Sequence, residues 1–416
     1  MCTCFTEKLG LCSVDHNGNI FPSIIAMHLP PRTVKIFYIT FAVLLYPSSS
    51  LTIPIENGRV TVKVDGQEMK LLLDSGSEKF LVNDGVWYEE KYGKGACKDP
   101  RAACYFCSRT AACFAPTSAV YNTSFADGDV VEYVLHSGSV RLGDRTVEGV
   151  EFGIVVNSIR PAHRSNVTET SVLGIATSSC GRGFSKSLVE QLRSTGTIRH
   201  TSFSIYFRPS ACAGIDGGVT FGSRMEEGPG MKMTRLEYCH RNRMNRVSVW
   251  ISAVGLFGTE GRLLPSVHKS ARLPWDRSYL GYVDSGSYSL HIPHADDLIG
   301  DILGLAKRRL IAQSRRFEEA AIIRRTRNGR WLIKNGLLEH LPTLAFRINS
   351  ARDILVKIPP RDYTRCARGR CLLKIFEGKL GDRVLLGVPL LRAYDVHVNF
   401  DTRVVGFRSS ALMVDS

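Results

Sequence analysis

The chain has 416 residues, 44% of them hydrophobic and 22% charged, enough apolar side chain to bury one large core or two, which excludes a disordered polymer. Lysine and arginine outnumber aspartate and glutamate by 54 to 39, a net charge of +15 that by sign alone suits nucleic acid or an anionic membrane surface. No helix-turn-helix, zinc-finger or aromatic RNA-binding signature accompanies that charge, so nucleic acid is not an expected partner.

Residues 1–50 read as an N-terminal extension and an address. Ile36 to Tyr46 is an uncharged apolar run, preceded by Arg32 and Lys35 and followed by Pro47-Ser48-Ser49-Ser50. It is too short to cross a bilayer as a helix, but it suits the core of a signal peptide cut near Ser50. A start at Met27 gives such a peptide ordinary length; the competing reading is a buried core strand. Secretion gives the cysteines a meaning. Of twelve, Cys2, Cys4 and Cys12 precede the apolar run, and of the nine that follow, four crowd between Cys97 and Cys113. In an oxidising compartment these staple a loop; in the cytosol Cys104-x-x-Cys107 would raise zinc, though no second such pair or histidine pair supports it. Nine is odd, so at least one thiol stays free or pairs between chains. Asn122-Thr123-Ser124 and Asn166-Val167-Thr168 have the form of glycosylation acceptors.

From Arg59 the pattern alternates through Val60, Val62 and Val64, turns at Asp65-Gly66 and returns to Leu73, a hairpin that delivers Asp74 at its end. Strand-like runs follow at Val130 to Val134 and Val140 to Gly143. Ser185 to Thr195 has the spacing of a short helix, and Phe203 to Phe207 and Val219 to Phe221 read as strands. Glycine, proline and charge mark a seam around Arg224 to Met233. An alternating strand opens the second half at Val247 to Ser252, and Tyr282-Val283 leads into Asp284. Between Asp296 and Arg330 lies the most helical stretch, with Leu298, Ile302, Leu305, Leu310 and Ile311 near helical spacing among many arginines. A basic amphipathic helix fits a membrane surface or an acidic partner, but equally the solvated face of an insertion. Strands resume at Leu344 to Ile348 and Ile354 to Ile358, and no hydrophobic tail follows Phe407, so any membrane contact is expected to be peripheral.

One four-residue stretch occurs twice: Asp74-Ser75-Gly76-Ser77 and Asp284-Ser285-Gly286-Ser287, each after an apolar run. Each is followed at a similar distance by a Leu-Gly element, Gly174 coming 100 residues after Asp74 and Gly387 coming 103 after Asp284. Glycine lets the backbone approach closely, and the flanking hydroxyls can donate to the acid. Two such turns across a two-fold axis would form a carboxylate pair sharing one proton, one acid acting as base on a water and the other as acid on a carbonyl oxygen. That chemistry hydrolyses peptides without metal, cofactor or covalent nucleophile.

These motifs resemble the pepsin-like aspartic proteases, from about Val60 to Phe407. Gly217-Gly218-Val219-Thr220-Phe221-Gly222, Trp250-Ile251 and Val396 to Asp401 with Val405-Gly406-Phe407 are similar to that family in the same order. The resemblance implies a mainly β, bilobal fold with pseudo-two-fold lobes at 51–228 and 229–416, a helical insertion in the C-terminal lobe and a peptide cleft between the lobes. It implies catalysis by Asp74 and Asp284, supported by Ser75, Gly76, Ser77, Ser285, Gly286 and Ser287. It also places a substrate-covering flap at Phe125, Asp127 and Gly128. The family's usual flap tyrosine is Phe125 here, and its tryptophan partner is Leu81. With the cysteine-rich insertion, the helical insertion, His291-Ile292-Pro293 and Leu341-Pro342, these departures resemble the plasmepsin V type. The implied setting is the secretory pathway, either the endoplasmic reticulum lumen or secreted, with cleavage after leucine in Arg-x-Leu and Asp127 facing the arginine. That type's C-terminal anchor is absent, and its flap cysteine is Ala126. Only 24 residues separate Ser50 from Asp74, so a monomer active without prosegment removal is expected. The alternative is a catalytically silent relative that binds peptides in its cleft.

Overall fold

The computed structural model describes residues 12–14, 20–22, 50–107, 113, 118–125, 128–159, 170–177, 186–208, 215–224, 230–237, 247–258, 261–264, 278–312, 323–327, 329–348, 354–378 and 383–410. The apolar run 36–46, Asp127, Asn166, Cys180, Cys212 and Cys239 lie outside them, and so do the expectations attached to those residues. The chain divides into two units, Met1–Pro47 and Ser48–Ser416. In the first, Cys12–Val14 pairs antiparallel with Ile20–Pro22.

The second unit is mainly β. Its first hairpin follows from alternation: Val60, Val62 and Val64 are buried while Lys63 is exposed, and Asp65 and Gly66 both take positive φ, 47° and 80°, as a tight primed turn requires. Arg59–Val64 pairs with Gln67–Asp74 on one side and with Val130–Leu142 on the other. The path from Gln67–Asp74 through Val172–Gly174, Phe80–Asp84 and Arg145–Ile159 returns to Val130–Leu142, so six strands close on themselves and expose no edge there. Val130 to Val134 and Val140 to Gly143, expected as separate strands, belong to one strand of 13 residues, Val130–Leu142, with Gly143 just past its end.

The same large sheet continues through Leu51–Glu56, Gly217–Phe221 and Ser202–Phe207 to Tyr394–Asn399, Val404–Ser409 and Met231–Arg235. It therefore takes strands from both sides of the seam near residue 228, and the last hairpin of the chain pairs onto Ser202–Phe207. A second sheet runs, among the described residues, in the order Ile354–Ile358, Thr343–Ile348, Ser248–Phe257, Tyr279–Val283, Arg383–Leu386, Leu290–Ile292, Ile375–Glu377. A small third sheet joins Ile323–Arg325, Trp331–Lys334, Arg370–Leu373 and Thr364–Ala367.

The short helix is Leu188–Ser194, started by a reciprocal cap in which the Ser187 hydroxyl accepts from Glu190 N and the Glu190 carboxylate accepts from Ser187 N. The long helix, Ala295–Ala312, buries Leu298, Ile302, Leu305 and Leu310, but Ile311 is 54% exposed. Helix does not extend to Arg330 as the spacing suggested. Ile323–Arg325 and Trp331–Lys334 form an antiparallel hairpin that Arg370–Leu373 extends, and Gly329, at φ 76°, turns it. The Asn328-Gly329 pair was the overlooked turn signal.

The cysteine loop is closed by Cys97–Cys104 and Cys107–Cys113, and a third disulfide, Cys366–Cys371, ties the hairpin of the small sheet. Cys104 and Cys107 thus belong to different disulfides, which removes the zinc reading of that spacing. Among the described residues no helix is long and apolar enough to cross a membrane, and no cluster of side chains could hold a metal ion.

Candidate active site

Alternation aims the first acid. Leu71 and Leu73 point into the main core, while Leu72, one face over, joins a smaller cluster with Leu81, Tyr133 and Val172; Asp74 shares the face of Leu72, and both line the cleft. Asp74 is 8% exposed. Its Oδ1 accepts from Gly76 N at 2.8 Å and its Oδ2 from the Ser77 hydroxyl at 2.6 Å. At the second turn, Asp284 Oδ1 accepts from Gly286 N at 2.9 Å.

Each turn is threaded by its Leu-Gly strand, which explains the matched spacings. Val172–Gly174 runs parallel to Gln67–Asp74, with Gly174 N donating to Lys79 O (2.7 Å), Ile175 N to Asp74 O (2.9 Å) and Ala176 N to Ser77 O (3.0 Å). In the second half, Arg383–Leu386 runs parallel to Tyr279–Val283, Asp284 N donates to Leu386 O (3.0 Å), and Val388 N donates to Ser287 O (2.8 Å). A Cβ on Gly174 would stand 2.4 Å from Lys79 N, and one on Gly387 would stand 2.3 Å from the carbonyl oxygens of Ser287 and Ser289. Only glycine passes at either place.

The two turns are then tied to each other. Ser75 N donates to Ser285 Oγ and Ser285 N to Ser75 Oγ, both at 2.9 Å. The Ser75 hydroxyl donates to Val283 O (3.0 Å) and the Ser285 hydroxyl to Leu73 O (2.7 Å), completing a symmetric set across 210 residues of sequence. A Cβ on Gly286 would stand 2.8 Å from Asp74 Oδ1 and 3.2 Å from Asp284 Oδ1, so both carboxylates reach toward one point. Gly76 faces Asp284 in the same way, its Cβ position 2.6 Å from Asp284 Cγ.

The symmetry breaks at the last position of the motif. Ser77 reaches its acid, but the Ser287 hydroxyl donates to Ser289 O at 3.1 Å, and Ser287 N donates to Asp284 O at 3.3 Å. The expected hydroxyl support of Asp284 by Ser287 is therefore corrected to a support of the turn, because the Ser289 carbonyl lies within its reach.

Phe125 closes the tight turn between Val120–Ser124 and Val130–Leu142, its N donating to Asp129 O and its O accepting from Gly128 N, with Gly128 at φ 95°. The half-buried Phe125 ring packs against the cluster of Leu72, Leu81 and Tyr133 and lines the cleft. With Leu81 in place of a hydrogen-bonding partner, an apolar ring there leaves no orphaned polar group.

Sequence reasoning missed three features. Glu78 and Lys79, just past the first motif, form a buried ion pair at 2.9 Å, with Lys79 over the Tyr133 ring; adjacent charges inside an apolar stretch were the available signal. Tyr288, next after the second motif, lines the cleft, packs on the Leu72 cluster and brings its hydroxyl against Gly58. The third is a basic wall of the cleft, made by residues far apart in sequence.

The cleft has a volume of about 820 Å³ and holds both acids. Over residues 57–410 the chain matches the family model described as eukaryotic aspartyl protease. Among solved structures it is similar to the aspartic proteinase from Irpex lacteus, at 14% identity and a TM-score of 0.60, over 88% of this chain and 99% of that one. That likeness speaks for the fold. No curated protein matches. With the family match spanning most of its length, the chain belongs to the eukaryotic aspartyl proteases and is an aspartic-type endopeptidase of pepsin-like, mainly β fold.

Proposed function

We propose that Asp74 and Asp284 are the catalytic pair of this endopeptidase, each presented by its own half, with lobes at 51–228 and 229–416. The observation that carries the assignment is the convergence of both carboxylates beside Gly286. Two acids so close share one proton, so that one accepts a proton from the attacking water while the other donates to the scissile carbonyl oxygen. Ser77 holds Asp74, and the crossed Ser75 and Ser285 hydrogen bonds fix the separation of the turns. Pre-setting that geometry is what lowers the barrier.

The enzyme works on secretory proteins in the endoplasmic reticulum lumen, in the manner of the plasmepsin V type, as a monomer. Three short-range disulfides suit an oxidising compartment, and the disulfide-closed loop before the flap, the inserted helix Ala295–Ala312 and the Phe125 and Leu81 pair are the features shared with that type. Phe125 and Gly128 shape the flap, and Asp127 takes the arginine of Arg-x-Leu. Digestion of a peptide library by the purified protein tests both levels. Cutting after Arg-x-Leu is expected, with loss of at least about a thousandfold in rate for Asp284→Asn. Undiminished cutting by that variant would end the assignment of the pair, while cutting without Arg-x-Leu preference would reject only the subtype.

A further inference from the structure

The two residues after the first acid motif carry full charges into the interior. Glu78 and Lys79 are 6% and 4% exposed, and their side chains pair at 2.9 Å. Only one oxygen of that carboxylate is used: Glu78 Oε2 is buried with no hydrogen-bond partner among the described residues. A buried ion pair replaced by apolar side chains of similar size is often no less stable, and a half-satisfied one costs more to keep. Stability by itself therefore does not account for charges at these two positions.

What the pair does is aim an ammonium. Lys79 is fixed at its backbone by the strand that threads the turn: its O accepts from Gly174 N at 2.7 Å, and a Cβ on Gly174 would stand 2.4 Å from its N. Phe80 belongs to the main core, and Leu81 lies in the small cluster with Leu72 and Tyr133. The Lys79 side chain goes to that cluster too, its Nζ 5.9 Å from the centroid of the Tyr133 ring. Burial holds the Tyr133 phenol above its ordinary range, and Lys79, by its charge and by a hydrogen bond to the hydroxyl, pulls the other way. Tyr133 is 1% exposed and belongs to Val130–Leu142, where it stands opposite Tyr121 with the two rings stacked at 5.7 Å. These are the two strands whose turn carries Phe125 into the cleft. Phe125 and Leu81 have no side-chain donor or acceptor, so between them only packing acts, and packing has little direction where a hydrogen bond has much. One lysine thus joins the frame of Asp74 to the hairpin that bears Phe125.

We propose that Lys79, oriented by Glu78, is a positioning residue that ties the Phe125 hairpin to the Asp74 turn through the Tyr133 hydroxyl, so that the hairpin holds a bound peptide in place over the acids. The proposal deepens the reading of Asp74 and Asp284 as the catalytic pair and rests on it for what the hairpin covers. Lys79 acts through Tyr133 and touches no reacting atom, and no covalent step is involved. Its effect falls on the bound state: an untied hairpin lets the peptide leave sooner while the chemistry at the acids is unchanged.

Tyr133→Phe tests the tie, since it removes the acceptor and keeps the ring, its stacking and the ion pair. KM for a cleaved peptide is expected to rise about tenfold, the effect of losing one hydrogen bond to a charged group, with kcat changed by less than about twofold. Amide hydrogen exchange read by mass spectrometry should quicken by about tenfold in residues 120–134 and stay as it was in Gln67–Asp74. In Glu78→Gln/Lys79→Met, where the tie is already gone, adding Tyr133→Phe should move neither readout further. Should that variant fail to fold, Tyr133→Phe decides by itself. An unchanged KM, or unchanged exchange in residues 120–134, overturns the proposal, and so does exchange quickened equally in Gln67–Asp74, which marks a general loss of stability in place of a lost link. If the unaltered protein cuts no peptide, or if Asp284→Asn cuts as well as it does, the reading of the acid pair falls instead, and the exchange comparison alone decides the tie.

Discussion

At the scale of single residues the two halves of the site are not equivalent, although their motifs are identical. Ser77 spends its hydroxyl on Asp74, whereas Ser287 donates to the Ser289 carbonyl. A hydrogen bond to a charged group is worth about 1.5–3 kcal/mol, so Ser77→Ala should lower kcat/KM by about tenfold or more, while Ser287→Ala should change it by less than about twofold. Equal losses in steady-state kinetics of the two variants would contradict the asymmetry. Gly174 and Gly387 carry a different burden, since backbone atoms stand 2.4 and 2.3 Å from where a Cβ would go. Backbone cannot rotate aside as a side chain can. Gly387→Ala should therefore cost about 3 kcal/mol, the upper end of overpacking penalties, and appear as a lowered midpoint in urea. An unchanged midpoint would mean that the Leu-Gly strand does not thread the turn this tightly.

Among the elements, the disulfide-closed loops carry the most local consequence. Cys97–Cys104 closes a loop of sequence separation 7 and joins the segment behind helix Gly85–Tyr92 to strand Cys104–Tyr105, which pairs with Phe80–Asp84. Short loops gain less entropy on closure than long ones, so replacing both cysteines by serine should destabilise by about 2 kcal/mol. Chemical denaturation of the double variant measures it, and the same loss should appear in the unaltered protein on reduction, together with the contributions of the other two bridges. Reduction without effect would remove one argument for an oxidising compartment. The inserted helix shows the opposite lesson about elements: its buried stripe was legible in Leu298, Ile302 and Leu305, yet its end was not, because a hairpin partner 40 residues on, Arg370–Leu373, claims the segment after it.

For the whole molecule, the joining of the chain's last hairpin to the large sheet makes stability depend on pH. His397 on Tyr394–Asn399 is 7% exposed, hydrogen-bonded through Nδ1 to Ser204 on the facing strand, and its pKa is pushed down to about 4, by burial first and by Arg408 second. Its ordinary value is near 6.5. As pH falls from there to about 4 the unfolded chain takes up a proton that the folded one refuses, so stability present above 6.5 is lost across that window, by about 3 kcal/mol. Asp362 works in the other direction: burial lifts it to about 6 against Arg392 and Arg361, so its contribution is full below about 3.8 and lost as pH rises through 6. The two effects nearly offset each other in the unaltered protein, so its melting temperature should change little from pH 7 to 4, whereas it should fall toward acid for Asp362→Asn and rise toward acid for His397→Gln; parallel curves for all three proteins would refute both assignments.

The sequence by itself determined the two acid turns, their Leu-Gly companions, the first hairpin and the cysteine loop, because each is written in local spacing or in a repeated motif whose residues have few other uses. Only the tertiary structure decided that Ser287 turns from its acid, that Glu78 and Lys79 pair in the interior, and that Arg330, Arg365 and Lys374 share one wall of the cleft. The reason is physical: a turn or an alternating strand is specified by neighbours along the chain, whereas the direction of a hydroxyl and the company of a charge depend on atoms that folding brings from elsewhere.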